Sequence, residues 1–184
     1  RKRSSAASDV YKRQDFLGLR DATAIELLYS TGIRQAELIG LKTSDIDWAQ
    51  GQIRVLGKRN KERLVPIIPA LATTLKHYMA QRNAYPGTSA HSFLLVTNKG
   101  NKIYPAFVYR LIKTYFRSVS NKISTSPHVL RHSFATHMLD AGADINVVKE
   151  ILGHESLAAT QEYTKVQLPK VQDAYRAAHP RAKK

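Results

Sequence analysis

The sequence contains no cysteine, only one tryptophan and two methionines. Without thiols it can form neither a disulfide nor a thiolate zinc site, which removes the stapled and zinc-finger classes of small domain. No run of about 18 apolar residues occurs, so nothing in it reads as a membrane-spanning helix and no membrane partner is expected. The basic N-terminus has no apolar stretch behind it, so no secretory signal is expected either, and a cytoplasmic protein fits. Acidic side chains are scarce: 14 Asp and Glu stand against 29 Lys and Arg, a formal charge of +15.

What is present points to one compact domain. The chain has 184 residues, 43% of them hydrophobic, enough for a real core. Residues 1–14 hold five bases and one acid, so that segment carries +4 of the charge and leaves +11 for the rest. Such an excess suggests a polyanion, nucleic acid first. A basic surface kept for solubility is the plainer alternative.

Residues 1–14, "RKRSSAASDVYKRQ", show no useful periodicity and read as a disordered tail or as sequence foreign to the native protein. From Asp15 the pattern is regular. "DATAIELLYSTG" predicts a helix capped by Asp21 and stopped at Gly32. A short helix follows at Arg34–Gly40. "QIRVLG" and "RLVPII" predict a hairpin around the polar turn Lys58–Glu62. "PALATTLKHYMAQRN" predicts a helix with Pro69 in its first turn. "FLLVT" and "KIY" predict a weaker hairpin. Helices then follow at "PAFVYRLIKTYFRSVS", at "SPHVLRHSFATH" up to Gly142, at "INVVKEIL" between Asp144 and Gly153, at "LAATQEYTKV" after Ser156, and around Val171–Ala178. The predicted fold is mainly α with a small antiparallel β-sheet (α+β).

Several residues could carry chemistry. Arg34 lies in the first turn after Gly32, where a guanidinium can join helix-terminal amides to bind an anion. Equally, it could pair with Glu37 three residues on. Lys58 sits at the hairpin tip among Arg59, Lys61 and Arg63. Such a tip can enter a nucleic-acid groove or stay a solvated turn. His128 and Arg131, three apart, share a helix face and suit a phosphate: one fixed bidentate cation beside a group that holds a proton. His128 and His132 have a spacing that could ligate zinc, but no carboxylate completes the set. His132 and His137 otherwise read as residues satisfied inside or at the edge of the core. His154 follows the helix-ending Gly153, and Tyr163 comes nine positions later, where a tyrosine is ordinarily core.

Together these segments resemble the catalytic domain of the tyrosine site-specific recombinases, the phage integrase family. "STGIRQAELIGL" resembles its first arginine motif, "LGKRNKERLVPI" its lysine hairpin, "SPHVLRHSFATHMLDAGAD" its His-x-x-Arg motif and "LGHESLAATQEYTKV" its His-to-Tyr motif. All four stand in the family's order, from about Phe16 to Ala182. "AYRAAHPRA" and "GKRNKERLVPI" resemble the Xer branch, which resolves chromosome dimers; integrases of mobile elements are the alternative.

The resemblance implies that Tyr163 is the nucleophile, that Arg34 and Arg131 grip the scissile phosphate, and that Lys58 protonates the leaving 5′ oxygen. It implies that His128 assists proton movement, that His154 bonds a phosphate oxygen, and that Glu37 and His132 support the site. Arg59, Lys61 and Arg63 are expected on DNA. No metal or nucleotide cofactor is implied. The expected partners are double-stranded DNA and further recombinase protomers, in a homo- or hetero-tetramer. Residues 15–182 would form the catalytic domain, with the family's N-terminal core-binding domain absent and residues 1–14 resembling translated adapter or vector sequence.

Two departures stand out. Arg59 occupies a position where the Xer pattern commonly has glycine, so a different turn is expected. Ala158-Ala159 replaces a Ser-Thr-like pair. In "LPKVQDAYRAAH", residues Val171, Ala174, Tyr175 and Ala178 form one stripe. The resemblance implies that it docks on a neighbouring protomer; packing on its own domain is the alternative. Two other classes compete with an active recombinase: a DNA-binding module without catalysis, and a zinc-binding histidine cluster.

Overall fold

The computed structural model describes residues 3–88, 92–117, 126–153, 175 and 177–179, with backbone alone for residues 3–15 and 117. Six α-helices and one three-stranded antiparallel sheet are found among these residues. They are α1 (Arg3–Thr31), α2 (Gln35–Gly40), β1 (Ile46–Asp47), β2 (Gln52–Leu56), β3 (Glu62–Pro66), α3 (Pro69–Ala84), α4 (Pro105–Arg117), α5 (Pro127–Asp140) and α6 (Ile145–Leu152). The mainly helical α+β class read from the sequence is the fold observed.

The core lies where α1 packs on α3 and α5, with the sheet beside it. Along α1, Ala24, Leu27 and Leu28 are buried, and α5 turns Leu130, Phe134 and Met138 inward at four-residue spacing. Ile53 pairs with Val65 across β2 and β3, both fully buried, which fixes the hairpin's register. The third strand, β1, adds Ile46 opposite Ile53 and was not visible in the sequence. Two residues are too short a run to show alternation.

Helix ends follow the local chemistry. Pro69 and Pro127 open α3 and α5, where a missing amide costs nothing. Asp144 caps α6 by accepting the Asn146 amide at 2.7 Å. Gly153 ends it in the left-handed region.

Three expectations change. α1 begins at Arg3, not at Asp21, so the segment read as a tail is continuous with this helix from Arg3 onward. Asp21 lies mid-helix, where its carboxylate pairs with Arg20 at 2.6 Å and caps nothing. Packing carries the helix upstream of it: Phe16 is buried and stacks on Tyr85, ring centroids 4.1 Å apart. The second hairpin shrinks to a single bridge between Val96 and Lys102, closed by the Thr97 amide on the Asn101 carbonyl. In the C-terminal stripe, Tyr175 and Ala178 are buried in this same domain. The Tyr175 hydroxyl donates to the Ser30 carbonyl, and its ring meets Phe134. The stripe's described residues therefore pack back on their own domain. The helix expected after Ser156 lies outside the described residues.

Candidate active site

An α-helix ends with carbonyls that have no intrahelical partner, at the negative end of its dipole. At the end of α6 three consecutive carbonyls each receive an arginine from a different element. Arg63 of β3 donates Nε to Ile151 at 2.8 Å. Arg131 of α5 donates Nη2 to Leu152 at 2.7 Å. Arg34, ahead of α2, donates Nη2 to Gly153 at 3.4 Å. The chain end that leads to His154 thus gathers three guanidinium groups.

Arg131 is held at a second point, where Nη1 donates to the Gly32 carbonyl at 2.6 Å. Burial and the neighbouring Arg34 charge lower its pKa to about 10. Gly32 has φ +62°, and a Cβ there would lie 2.5 Å from Phe134 Cδ1 and 2.7 Å from Leu152 Cδ2. Only glycine allows α1 to end against α5 and α6 and present this carbonyl.

Glu37 binds the arginines together. Its Oε1 accepts from Arg34 Nη1 at 3.0 Å and Arg63 Nη1 at 2.8 Å. Its Oε2 accepts from the Arg34 amide at 2.7 Å and Arg63 Nη2 at 2.8 Å. Burial alone would raise its pKa, but the bonds from Arg63 and from the Arg34 amide outweigh that, and the carboxyl is held below its ordinary range. Arg34 therefore does pair with Glu37, and its own amide is not open to an anion. About a third of the Arg34 side chain remains exposed, against 5% for Glu37.

Arg63 needs the plainest correction. Grouped by sequence with the DNA-facing hairpin tip, it is buried, with 6% of its side chain exposed and its fork on Glu37. Lys58, Arg59 and Lys61 are exposed as expected. The tip is a 3-10 turn over Lys58–Asn60, in which Arg59 (φ +58°) and Asn60 (φ +59°) both take the left-handed conformation. That conformation explains why glycine suits position 59. Gly57, just before Lys58, packs on the network: a Cβ there would be 3.7 Å from both Arg63 Nη1 and Glu37 Oε1.

His128 is exposed in the first turn of α5, one turn before Arg131. His132, four residues after His128 on the same helix, is exposed too. His137 bonds the Tyr29 hydroxyl through Nδ1 at 3.0 Å, at the edge of the core as expected. His154 and Tyr163 lie outside the described residues. Among the described residues no three His, Asp or Glu side chains gather as metal ligands, and no helix is long and apolar enough to cross a membrane.

Three guanidiniums and one carboxylate leave this cluster with a net charge of +2 at neutral pH. Two of them, Arg34 and Arg131, are partly open to solvent. Such a group suits a tetrahedral oxyanion, which can take bidentate bonds from both.

The sequence profile described as the phage integrase family matches residues 5–168. Tyrosine recombinase XerC of Chlorobaculum tepidum is 42% identical over 174 residues, covering 92% of this chain and 52% of the relative. Among solved structures, the XerA recombinase aligns with a TM-score of 0.69 at 28% identity, over 90% of this chain and 63% of that one. The XerH site-specific recombinase bound to difH substrate, a pre-cleavage complex, aligns at 0.66 and 28%, over 84% and 46%. The chain belongs to the phage integrase family. It is similar to Xer tyrosine recombinases, and it spans about half the length of the curated relatives it matches.

Proposed function

We propose that this chain is the catalytic part of a site-specific DNA recombinase of the Xer type, cutting and rejoining one strand at a time through Tyr163. One observation carries the reading: Arg34 and Arg131, from elements 97 residues apart in the sequence, meet on adjacent carbonyls at the end of α6 in a cluster that keeps positive charge. Family membership and the likeness to recombinases, one of them bound to its difH substrate, support it.

In this mechanism the Tyr163 oxygen attacks the scissile phosphorus and the bond to the 5′ oxygen breaks. The products are a 3′-phosphotyrosyl ester and a free 5′ hydroxyl. Charge builds on the non-bridging oxygens, where fixed guanidiniums of Arg34 and Arg131 stabilise it most strongly in the transition state. Lys58, on the exposed hairpin tip beside Arg59 and Lys61, gives its proton to the departing 5′ oxygen. His128 takes up the tyrosine proton, and His154 bonds a phosphate oxygen. The ester conserves the energy of the broken bond, so an incoming 5′ hydroxyl reseals the strand without ATP. Double-stranded DNA is the substrate, and further protomers assemble on it as a tetramer.

A nicked suicide duplex tests this, because loss of the short 5′ fragment traps the ester. A covalent protein–DNA band is expected. With Lys58→Ala the band should weaken, then return on a substrate whose leaving group is a 5′ thiol, since a thiolate departs without a proton. Failure of that rescue would remove Lys58 from the acid's role.

A further inference from the structure

We infer that Arg63 is a positioning residue for strand cleavage: it neutralises Glu37 and fastens it, with Arg34 and the lysine hairpin, to the end of α6. This rests on the strand-transfer reading given above.

The geometry is that of a strut. All three donor nitrogens of the guanidinium are used, each at 2.8 Å: Nη1 and Nη2 on the two oxygens of Glu37, Nε on the Ile151 carbonyl. The side chain is buried, so these bonds are not shared with water. It passes two glycines closely. A Cβ on Gly153 would lie 3.1 Å from its Cδ, and one on Gly57 would lie 3.7 Å from its Nη1. β3 places it five residues after Lys58, and the Gly57 amide on the Lys61 carbonyl (2.8 Å) closes the turn between them. One side chain thus joins the carrier of Lys58, the partner of Arg34 and the helix end that also holds Arg131.

The charge argument makes the role specific. Glu37 divides its two oxygens between Arg34 and Arg63. Without Arg63 a buried carboxylate would keep Arg34 as its nearest cation, at 3.0 Å. It would draw that guanidinium into full pairing and away from a phosphate. Lysine cannot replace the fork, because an ammonium is a single point charge that cannot bond both carboxylate oxygens and a carbonyl in one plane.

The test compares Arg63→Met, Arg63→Lys and the double variant Arg63→Met/Glu37→Gln in the 184-residue chain at low salt. With a nicked duplex at saturating concentration, Arg63→Met should form the covalent adduct about 10²-fold more slowly, the scale of a misplaced reacting group. DNA affinity should change less than about threefold. The double variant should recover at least tenfold of the lost rate, because the neutral amide no longer captures Arg34. A structural role would instead make the double variant worse. Arg63→Lys, which keeps the charge, covers the case in which Arg63→Met fails to fold, and it should still lose at least tenfold. Wild-type cleavage rates in Arg63→Lys, or no recovery in a folded double variant, overturn the inference. If the wild-type chain alone forms no adduct, the chimera described in the Discussion decides the strand-transfer reading, and hydrogen exchange reads the strut by itself. The Arg34 amide, which donates to Glu37, should exchange at least tenfold faster in Arg63→Lys, and unchanged exchange overturns the inference.

Discussion

Arg131 reaches from α5 to the carbonyl of Gly32, 2.6 Å away, at the point where α1 ends. The bond ties the second arginine motif to the loop that carries the first. It explains why a glycine stands two residues before Arg34. Backbone conformation and side-chain packing forbid a Cβ there, and the carbonyl so presented aims the guanidinium.

Gly32→Ala should therefore do two kinds of damage. Left-handed backbone costs an alanine about 1–2 kcal/mol, and its methyl would overlap Phe134 and Leu152, adding about 1–3 kcal/mol of overpacking. Urea unfolding should show a loss within the sum of these, with adduct formation slowed beyond what the folded fraction explains.

Glu37 makes the fold acid-sensitive in a defined window. Its folded pKa lies below the unfolded value of about 4.3. Its ionised bonds therefore contribute fully above that value, and the contribution fades as pH falls through the lower folded pKa. Stability curves of wild type and Glu37→Gln should run parallel from pH 5.5 to 8 and converge below about pH 4.3. Curves that stay parallel in acid would contradict the assignment.

Tyr175 is fully buried and bonds the Ser30 carbonyl. Tyr175→Ala should cost about 3–5 kcal/mol, as for other buried aromatics, and removing residues from Pro169 onward should lower the melting temperature sharply. A truncated chain with unchanged melting would mean the stripe is not part of this domain's core.

DNA affinity should depend steeply on salt. The charge of +15 is not confined to the cluster, and each neutralised phosphate releases counterions. If six or more phosphates are contacted, binding should weaken about 10³-fold or more between 50 and 200 mM salt. A flat titration would argue against backbone recognition.

Much of this was legible in the sequence. Pro69 marked the start of α3, Gly142 bounded α5, and Asp144 and Gly153 marked the two ends of α6. Gly32 and Gly153 marked the helix ends that frame the arginines, and the family resemblance, not the residues by themselves, singled out Arg34, Lys58 and Arg131. Arg63 was misplaced because it lies within a run of exposed cations. Strand parity held the missing signal: residues 63 and 65 share a face, and Val65 is core. Asp21 misled as a helix start because the long-range stacking of Phe16 on Tyr85 carries α1 upstream of it. The side on which Tyr175 packs could not be read from periodicity, since a stripe shows that a face is covered and not what covers it.

The most direct measurement is to trap the adduct on a nicked duplex, digest it and map the modified peptide, in wild type and in Tyr163→Phe. A chimera bearing the N-terminal part of the Chlorobaculum tepidum relative keeps weak binding from limiting the result. The expected outcome is a 3′-phosphate ester on Tyr163 alone and no adduct from Tyr163→Phe, which keeps the ring but carries no nucleophile. An ester on another residue, an adduct from the Phe variant, or a chimera that binds DNA and forms none would contradict the mechanism.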